Sequence, residues 1–379
     1  MGNCIQNLSD GVSLIASDNT WIEGNAIHQL QTTAKLEGMR RVVGMPDLHP
    51  GRGYPVGAAF FSVGRLYPAL VGNDIGCGMG LWRTELDSVK ISQDKLEKCL
   101  GNIDGPLDNT WESLITTVAP MGTGYDRVLG TIGGGNHFAE LQKIDEIYDH
   151  PAAESLRLDK RRLLLLVHSG SRGLGQAILQ EHVERFGHQG LVQDTPACIH
   201  YLARHATALH FAQANRALIA QRMFARLRTT GESLLDVYHN LVSPATIDGE
   251  IGWMHRKGAT PSDTGVVVIP GSRGDYSYLV QPKADAQSLF SLAHGAGRKW
   301  MRSECKDRLA DRFSPGQLSR TQLGSRVICQ DRQLIYEEAP EAYKSIDSVI
   351  KALREADLIH LLARMRPVLT YKTSGECCI

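Results

Sequence analysis

Residues 162–173 read RLLLLVHSGSRG. Five apolar residues in succession, without alternation and too few for a helix, are the pattern of a strand buried on both faces. The run stops at His168, and glycines at 170 and 173 close the turn behind it. An apolar strand ending in a ligand-type side chain beside glycine is a site design: the backbone can approach a ligand closely and side chains can converge. Four more segments resemble it: residues 72–78 (GNDIGCG), 133–138 (GGGNHF), 238–240 (YHN) and 294–298 (HGAGR).

Outward from this strand, the first 90 residues alternate short apolar runs with glycine turns, and residues 265–270 (GVVVIP) form another strand closed by the turn 271–274 (GSRG). Residues 199–229 carry the longest helical pattern, with Leu202, Leu209, Ala212, Ile219, Met223 and Leu227 at spacings of three, four or seven. Its histidines, His200, His205 and His210, are expected on the flanks of that helix rather than in a site. Residues 86–120 and 139–160 are more polar and read as helix or surface loop. Residues 338–366 read as helix, followed by a last strand, PVLTYK. No Pro- or Ser-rich linker divides the chain, so the expected fold is mixed α/β (α+β): one large domain over residues 1–379, central β-sheets flanked by helices.

The 379 residues are 42% hydrophobic and 22% charged, enough for a sizeable core. The 41 Lys+Arg balance 41 Asp+Glu, which argues against coating nucleic acid by bulk charge but permits a local basic groove. Candidate basic clusters are Arg298, Lys299, Arg302, Lys306 and Arg308, and Arg222, Arg226 and Arg228. The eight cysteines are scattered with no CxxC pair, which fits a reducing cytoplasm. The start, MGNCIQNLSD, lacks a signal-peptide pattern, and Gln6 and Asn7 stand where N-myristoylation needs Ser or Thr. No stretch approaches the ~18 apolar residues of a membrane span.

Asp74 and Cys77, three apart in a glycine-flanked turn, form a mixed hard and soft ligand pair. With imidazoles they suit Mn²⁺ or Zn²⁺, and a thiolate can bridge two ions. The bland alternative is a buried Cys77 and an Asp74 that caps its own turn. His137, His168 and His239 are each individually compatible with a core histidine bonded to a carbonyl. Together with Asp74 and Cys77 they fit a two-ion site better than separate accidents. His255 sits beside Arg256 and Lys257, which disfavours a metal there. In HGAGR, glycines open the backbone N–H groups to a phosphate, Arg298 adds a donor fork, and His294 is a competent nucleophile toward a polarised phosphate. A small-residue turn with an incidental histidine is the alternative.

The ordered segments GMPDLHPGRGYPVGAAFF, VGNDIGCGMG, GTIGGGNHFAE, LLVHSGSRG, YHN, HRKGA, IPGSRG, HGAGR and EEAPEAYKSID resemble the RtcB family of GTP-dependent RNA ligases, from about residue 44 to 372. The resemblance implies joining of an RNA 3′-phosphate or 2′,3′-cyclic phosphate end to a 5′-hydroxyl end. It implies two Mn²⁺ ions, one on Asp74, Cys77 and His137 and the other on Cys77, His168 and His239. It makes His294 the guanylylated nucleophile, with GTP contacts from Asn136, Glu140, Ser272, Tyr343 and Lys372 and from the backbone of Ala296 and Gly297. Arg172 and Arg298 would hold RNA or nucleotide phosphates. Three steps follow once any cyclic phosphate is opened: His294 takes the guanylyl group from GTP, passes it to the RNA 3′-phosphate, and the 5′-hydroxyl displaces GMP.

The chain departs from the common family pattern in Arg273, where Met is usual, and in the extension TSGECCI after Lys372. Such short forms resemble a bacterial group associated with a peptide-release-factor homologue and with repair of ribosomal RNA, so tRNA or ribosomal RNA and the ribosome are the expected partners. Two other classes compete: a binuclear phosphodiesterase or cyclic-phosphate hydrolase without ligation, and a non-enzymatic RNA- or ribosome-binding accessory.

Overall fold

A computed structural model describes residues 4–375. The N-terminal Met-Gly and the extension beyond Gly375, with Cys377 and Cys378, lie outside the described residues. The fold is mixed α/β. One six-stranded sheet runs, in spatial order, Ile5–Ser9, Val12–Ile15, Met39–His49, Val56–Ser62, Glu250–Lys257 and Asn240–Ile247. An eight-stranded sheet runs Gly231–Tyr238, Gly78–Asp87, Arg162–Ser169, Phe138–Ile147, Ile359–Thr373, Ser277–Pro282 and Val267–Pro270, with Arg326–Cys329 pairing parallel to Ile359–Thr373.

The strand Arg162–Ser169 is buried on both faces, as its uninterrupted apolar run requires. Leu163, Leu165 and Val167 face a core built with the helices Gln93–Leu100 and Pro196–Leu227, while Leu164 and Leu166 face a second core with Met79, Leu81, Leu279 and Met365. The six-stranded sheet is likewise covered on both sides. Helix Gly24–Thr33 packs on one face, and on the other Val43, Met45 and Phe61 meet Ile346, Val349 and Leu353 of helix Ile346–Glu355 and the strands Val267–Pro270 and Ser277–Pro282.

The expected long helix is Pro196–Leu227, started by Thr195 capping Cys198 N and by Pro at its first turn. Two segments differ from expectation. Residues 139–160 contain the strand Phe138–Ile147 and only a short helix, His150–Ser155. Residues 338–366 are helical only through Ile346–Glu355 and a short 3₁₀ turn; at Asp357 the backbone turns left-handed (φ 58°), and the 15-residue strand Ile359–Thr373 begins. Among the described residues no helix is long and apolar enough to cross a membrane.

Candidate active site

The first four strands of the larger sheet are antiparallel neighbours, so the end of one lies beside the start of the next. Cys77 precedes Gly78–Asp87, His137 precedes Phe138–Ile147, His168 lies one residue from the end of Arg162–Ser169, and His239 follows Gly231–Tyr238. Tyr238 pairs with Gly78, Met79 with His168, and Phe138 with His168. The register alone therefore brings the four residues to one sheet end.

Their side chains meet there. Cys77 Sγ lies 3.4 Å from His137 Nε2 and 3.2 Å from His168 Nε2. His168 Nε2 is 3.3 Å from His239 Nε2, and His137 Nε2 is 2.7 Å from Asp74 Oδ2. Two triads that could hold a metal ion result, Asp74–Cys77–His137 and Cys77–His168–His239, and they share the thiol. Burial, reinforced by the Asp74 charge, pushes the Cys77 thiol well up. Burial also holds His168 and His239 well below the ordinary imidazole range, with neighbouring imidazoles adding to it. Burial opposes ionisation of Asp74, but the His137 ring beside it wins and holds the carboxyl low. Neutral imidazoles, an ionised carboxylate and a thiol that needs a cation to ionise are a donor set suited to divalent metal. His168 Nδ1 lies 3.1 Å from Asn136 O, which fixes the ring with Nε2 toward the cluster.

Sequence reasoning missed the supports of this cluster. Arg216, fully buried in helix Pro196–Leu227, grips Asp236 with two nitrogens and donates from Nη1 to Gly76 O and Ser169 O, both at 2.8 Å. Those carbonyls belong to the residues just before Cys77 and just after His168. Asn240 Nδ2 donates to Asp74 O at 3.1 Å, and its Oδ1 accepts from Gly258 N at 2.7 Å.

His294 stands next to the cluster, its ring centroid 4.8 Å from that of His239. Asp47 Oδ2 accepts from His294 N at 3.1 Å and lies 2.7 Å from its Nδ1. A carboxylate on Nδ1 keeps that nitrogen protonated, so the lone pair of the neutral ring is on Nε2. Sequence alone assigns Asp47 no role: it lies within the strand Met39–His49, and an aspartate two residues before a histidine carries no spacing signal. Gly297 (φ 73°) brings the HGAGR turn onto the Asp47 backbone, where a Cβ would stand 2.2 Å from Asp47 O.

A second cluster gathers most of the expected nucleotide contacts. Glu338 is its hub: its carboxylate accepts from Tyr343 Oη at 2.6 Å and pairs with Arg302 at 3.0 Å, Arg298 at 3.2 Å and Lys372 at 3.5 Å. Burial disfavours that charge, but the three cations hold the Glu338 carboxyl well below its usual range. Glu140 pairs in register with Thr370, takes hydrogen bonds from Thr370 Oγ1 and from Gln142 Nε2, and is pushed up to about 7 by burial. Ser272 and Ala296 are buried.

Arg298 belongs to the same cluster. All five guanidinium donors are engaged within the protein, by Trp300 O, Glu338, Tyr343 Oη, Cys305 Sγ and Glu337 O, so it braces the cluster instead of offering an open fork. Arg222 similarly donates to Gly105 O and Gly130 O, and Arg308 pairs with Glu304. Arg172 and Arg302 flank the triple-glycine turn: a Cβ on Gly133 would stand 1.7 Å from Arg172 Nη1, and one on Gly135 would stand 3.1 Å from Arg302 Nη1. His255 and His205 are buried and accept from Tyr67 N and Val242 N, so they are structural, while His200 is on the surface beside Glu181. Arg273 is buried and donates to Leu318 O and Ile335 O. The described start of the extension is tied to Asp104, which accepts from Thr373 Oγ1 and Ser374 N at 2.8 Å each.

Comparison with known proteins bears on this geometry. The sequence profile of the family described as tRNA-splicing ligase RtcB matches residues 29–115 and 119–373. The chain is 58% identical over 377 residues to the RNA-splicing ligase RtcB2 of Escherichia coli, covering 99% of both. It is 32% identical to the RNA-splicing ligase RtcB of Mycobacterium tuberculosis (90% of this chain, 99% of the relative) and 31% identical to the tRNA-splicing ligase RtcB of Nanoarchaeum equitans (95% and 93%).

Proposed function

The chain belongs to the RtcB family of RNA-splicing ligases, and from that premise we propose that it joins RNA 3′-phosphate or 2′,3′-cyclic phosphate ends to 5′-hydroxyl ends using GTP, with His294 as the nucleophile. The observation that carries this reading is the clamp of Asp47 on His294 Nδ1 beside the double triad. A ring fixed in that way presents Nε2 to a phosphate held at the cluster.

His294 Nε2 attacks the α-phosphorus of GTP, an N–P bond forms, and pyrophosphate leaves. Asp47 keeps the proton on Nδ1 and balances the positive charge that develops on the ring. An oxygen of the RNA 3′-phosphate then attacks the same phosphorus, the N–P bond breaks, and an RNA-to-GMP anhydride results. Finally the 5′-hydroxyl oxygen attacks the RNA phosphorus, gives up its proton, and GMP departs.

Two Mn²⁺ ions, one on Asp74, Cys77 and His137 and one on Cys77, His168 and His239, would supply Lewis-acid polarisation of the phosphate oxygens. Glu140 and Lys372 offer an acceptor and a donor suited to the guanine edge, Tyr343 an aromatic wall, and Asn136, Ser272 and the backbone of Ala296 and Gly297 polar contacts to the rest of the nucleotide. Arg172 and Arg302 beside the triple-glycine turn suit RNA phosphates, and Arg298 acts by holding Tyr343 and Glu338. A site built on one reduced thiol suits a cytoplasmic enzyme. The proposed substrates are broken tRNA or ribosomal RNA, the latter on ribosomes together with a release-factor homologue.

The test is incubation with α-labelled GTP and Mn²⁺. Wild type becomes covalently labelled and His294→Ala does not; a wild type that binds metal yet never labels sinks the nucleotidyl-transfer reading. Cyclic-phosphate RNA hydrolysed without GTP and never joined with it would favour a phosphodiesterase.

A further inference from the structure

Lys344 is 6% exposed and has no part in the chemistry described so far. Its Nζ donates to Pro46 O at 3.1 Å and Leu48 O at 2.8 Å, the two carbonyls on either side of Asp47. Its own backbone N–H donates to Gly297 O at 3.0 Å, inside the HGAGR turn. A single residue thus fastens the segment that carries the orienting carboxylate to the segment that carries the histidine. A buried ammonium is unfavourable unless charge balances it. Here the Asp47 carboxylate does so, and Asp47 Oδ1 has no hydrogen-bond partner among the described residues.

We infer that Lys344 is a positioning residue for nucleotidyl transfer: its charged amine holds Asp47 in the geometry that fixes the His294 ring. The inference rests on His294 being the nucleophile. It also places the buried chain between Asp47 and the nucleotide cluster, because the preceding residue is Tyr343, whose strand-like bridge to Arg298 runs alongside the HGAGR turn.

The groups facing the amine are Asp47 and His49 from strand Met39–His49, Glu23 ahead of helix Gly24–Thr33, and the Trp21 ring at 5.9 Å. Burial draws Lys344 down to about 8 against the pull of Asp47 and Glu23. Proton loss therefore falls within a pH range in which the enzyme can be assayed.

The experiment measures single-turnover labelling by α-labelled GTP at saturating GTP and Mn²⁺, using the full chain, Lys344→Met and Lys344→Arg. The Met variant is expected to label at least about tenfold more slowly, with GTP affinity and metal content within about twofold of wild type, and Arg is expected to recover most of the rate. Wild-type labelling should decline above pH about 8, and that decline should be absent in the Arg variant. A Met variant that labels at the wild-type rate overturns the inference, as does a loss fully matched by lost GTP affinity or lost metal. A wild-type decline at high pH that persists unchanged in the Arg variant overturns it as well. A wild type that never labels removes the His294 assignment and this inference together, whereas a labelling wild type beside an unaffected Met variant removes this inference alone.

Discussion

Gly170 lies so close to Asp74 that a Cβ on the glycine would stand 2.1 Å from Asp74 Oδ1. The space left by one hydrogen in the turn after His168 is therefore where a ligand from a different segment sits. Gly170→Ala is expected to displace Asp74 and weaken metal binding by about 10–100-fold, the effect of disturbing groups that orient metal ligands. Metal titration of the purified variant checks this, and wild-type affinity in a folded Gly170→Ala protein would contradict it.

Cys77 is the one residue common to both triads. Cys77→Ala is expected to abolish binding of both ions, since each triad then keeps only two donors, while His239→Ala should cost one ion. Elemental analysis after gel filtration measures the ratio of metal to protein. Retention of one ion by Cys77→Ala would show that the thiol does not bridge.

Asp47→Asn keeps the shape and removes the charge beneath His294. Guanylylation is expected to slow by up to about 10⁴-fold, the size of effect found when the carboxylate fixing a catalytic histidine's tautomer is neutralised. Metal content should stay near wild type, while thermal melting falls, because the buried Lys344 amine loses the charge that balances it. A labelling rate within threefold of wild type would falsify the clamp's role.

Why some of this was legible and some was not can be read from particular residues. Arg162–Ser169 declared itself because both its faces are apolar cores, and Pro196–Leu227 because its buried stripe keeps helical period. Phe138–Ile147 was hidden because its alternation, Ala139 to Gln142, is short and changes phase at Lys143; Glu140 and Gln142 are buried and bonded to Thr370 and Ser277. The end of the helix Ile346–Glu355 was hidden because Asp357 makes the left-handed turn without a glycine. The candidate metal cluster was legible because Asp74, Cys77 and His137 stand in glycine-containing turns next to strands, His168 lies one residue from a strand end, and His239 directly follows a strand. Asp47, Glu338 and Lys344 were not, because their roles arise only when distant segments meet. The bracing contacts of Arg298 were hidden because a sequence cannot show that a guanidinium's donors are engaged within the protein.

Glu140 adds a pH dependence. Its carboxyl ionises near 4.5 in an unfolded chain and at about 7 in the fold, because burial disfavours the charge. Its contribution to stability is thus full below about 4.5 and is lost as the pH rises to about 7. An ionised Glu140 is the better acceptor for guanine N–H groups, so GTP affinity is expected to rise as the pH climbs through this range, with one proton released. Calorimetry in buffers of different ionisation enthalpy measures that proton. Glu140→Gln should remove the dependence, and an unchanged pH profile in that variant would assign it elsewhere.

Arg216 shows how the long helix serves the metal site. It is fully buried and interrupts the stripe Ala212, Ile219, Met223 with a charge, at the helical spacing of an apolar residue. Arg216→Met leaves Asp236, only 13% exposed, without its partner, and breaking a buried pair on one side costs about 3–5 kcal/mol. Replacing both, Arg216→Met with Asp236→Leu, should recover much of that stability, because no unpaired charge remains. Metal affinity should not recover, since the carbonyls of Gly76 and Ser169 lose their donor in both variants and the Cys77 turn is then held to the His168 strand end by the backbone ladder alone. Urea unfolding and metal titration on the same two proteins separate the effects. If affinity returns with stability, Arg216 only supports the fold; if it stays low in a stable double variant, the helix sets the spacing of the two triads.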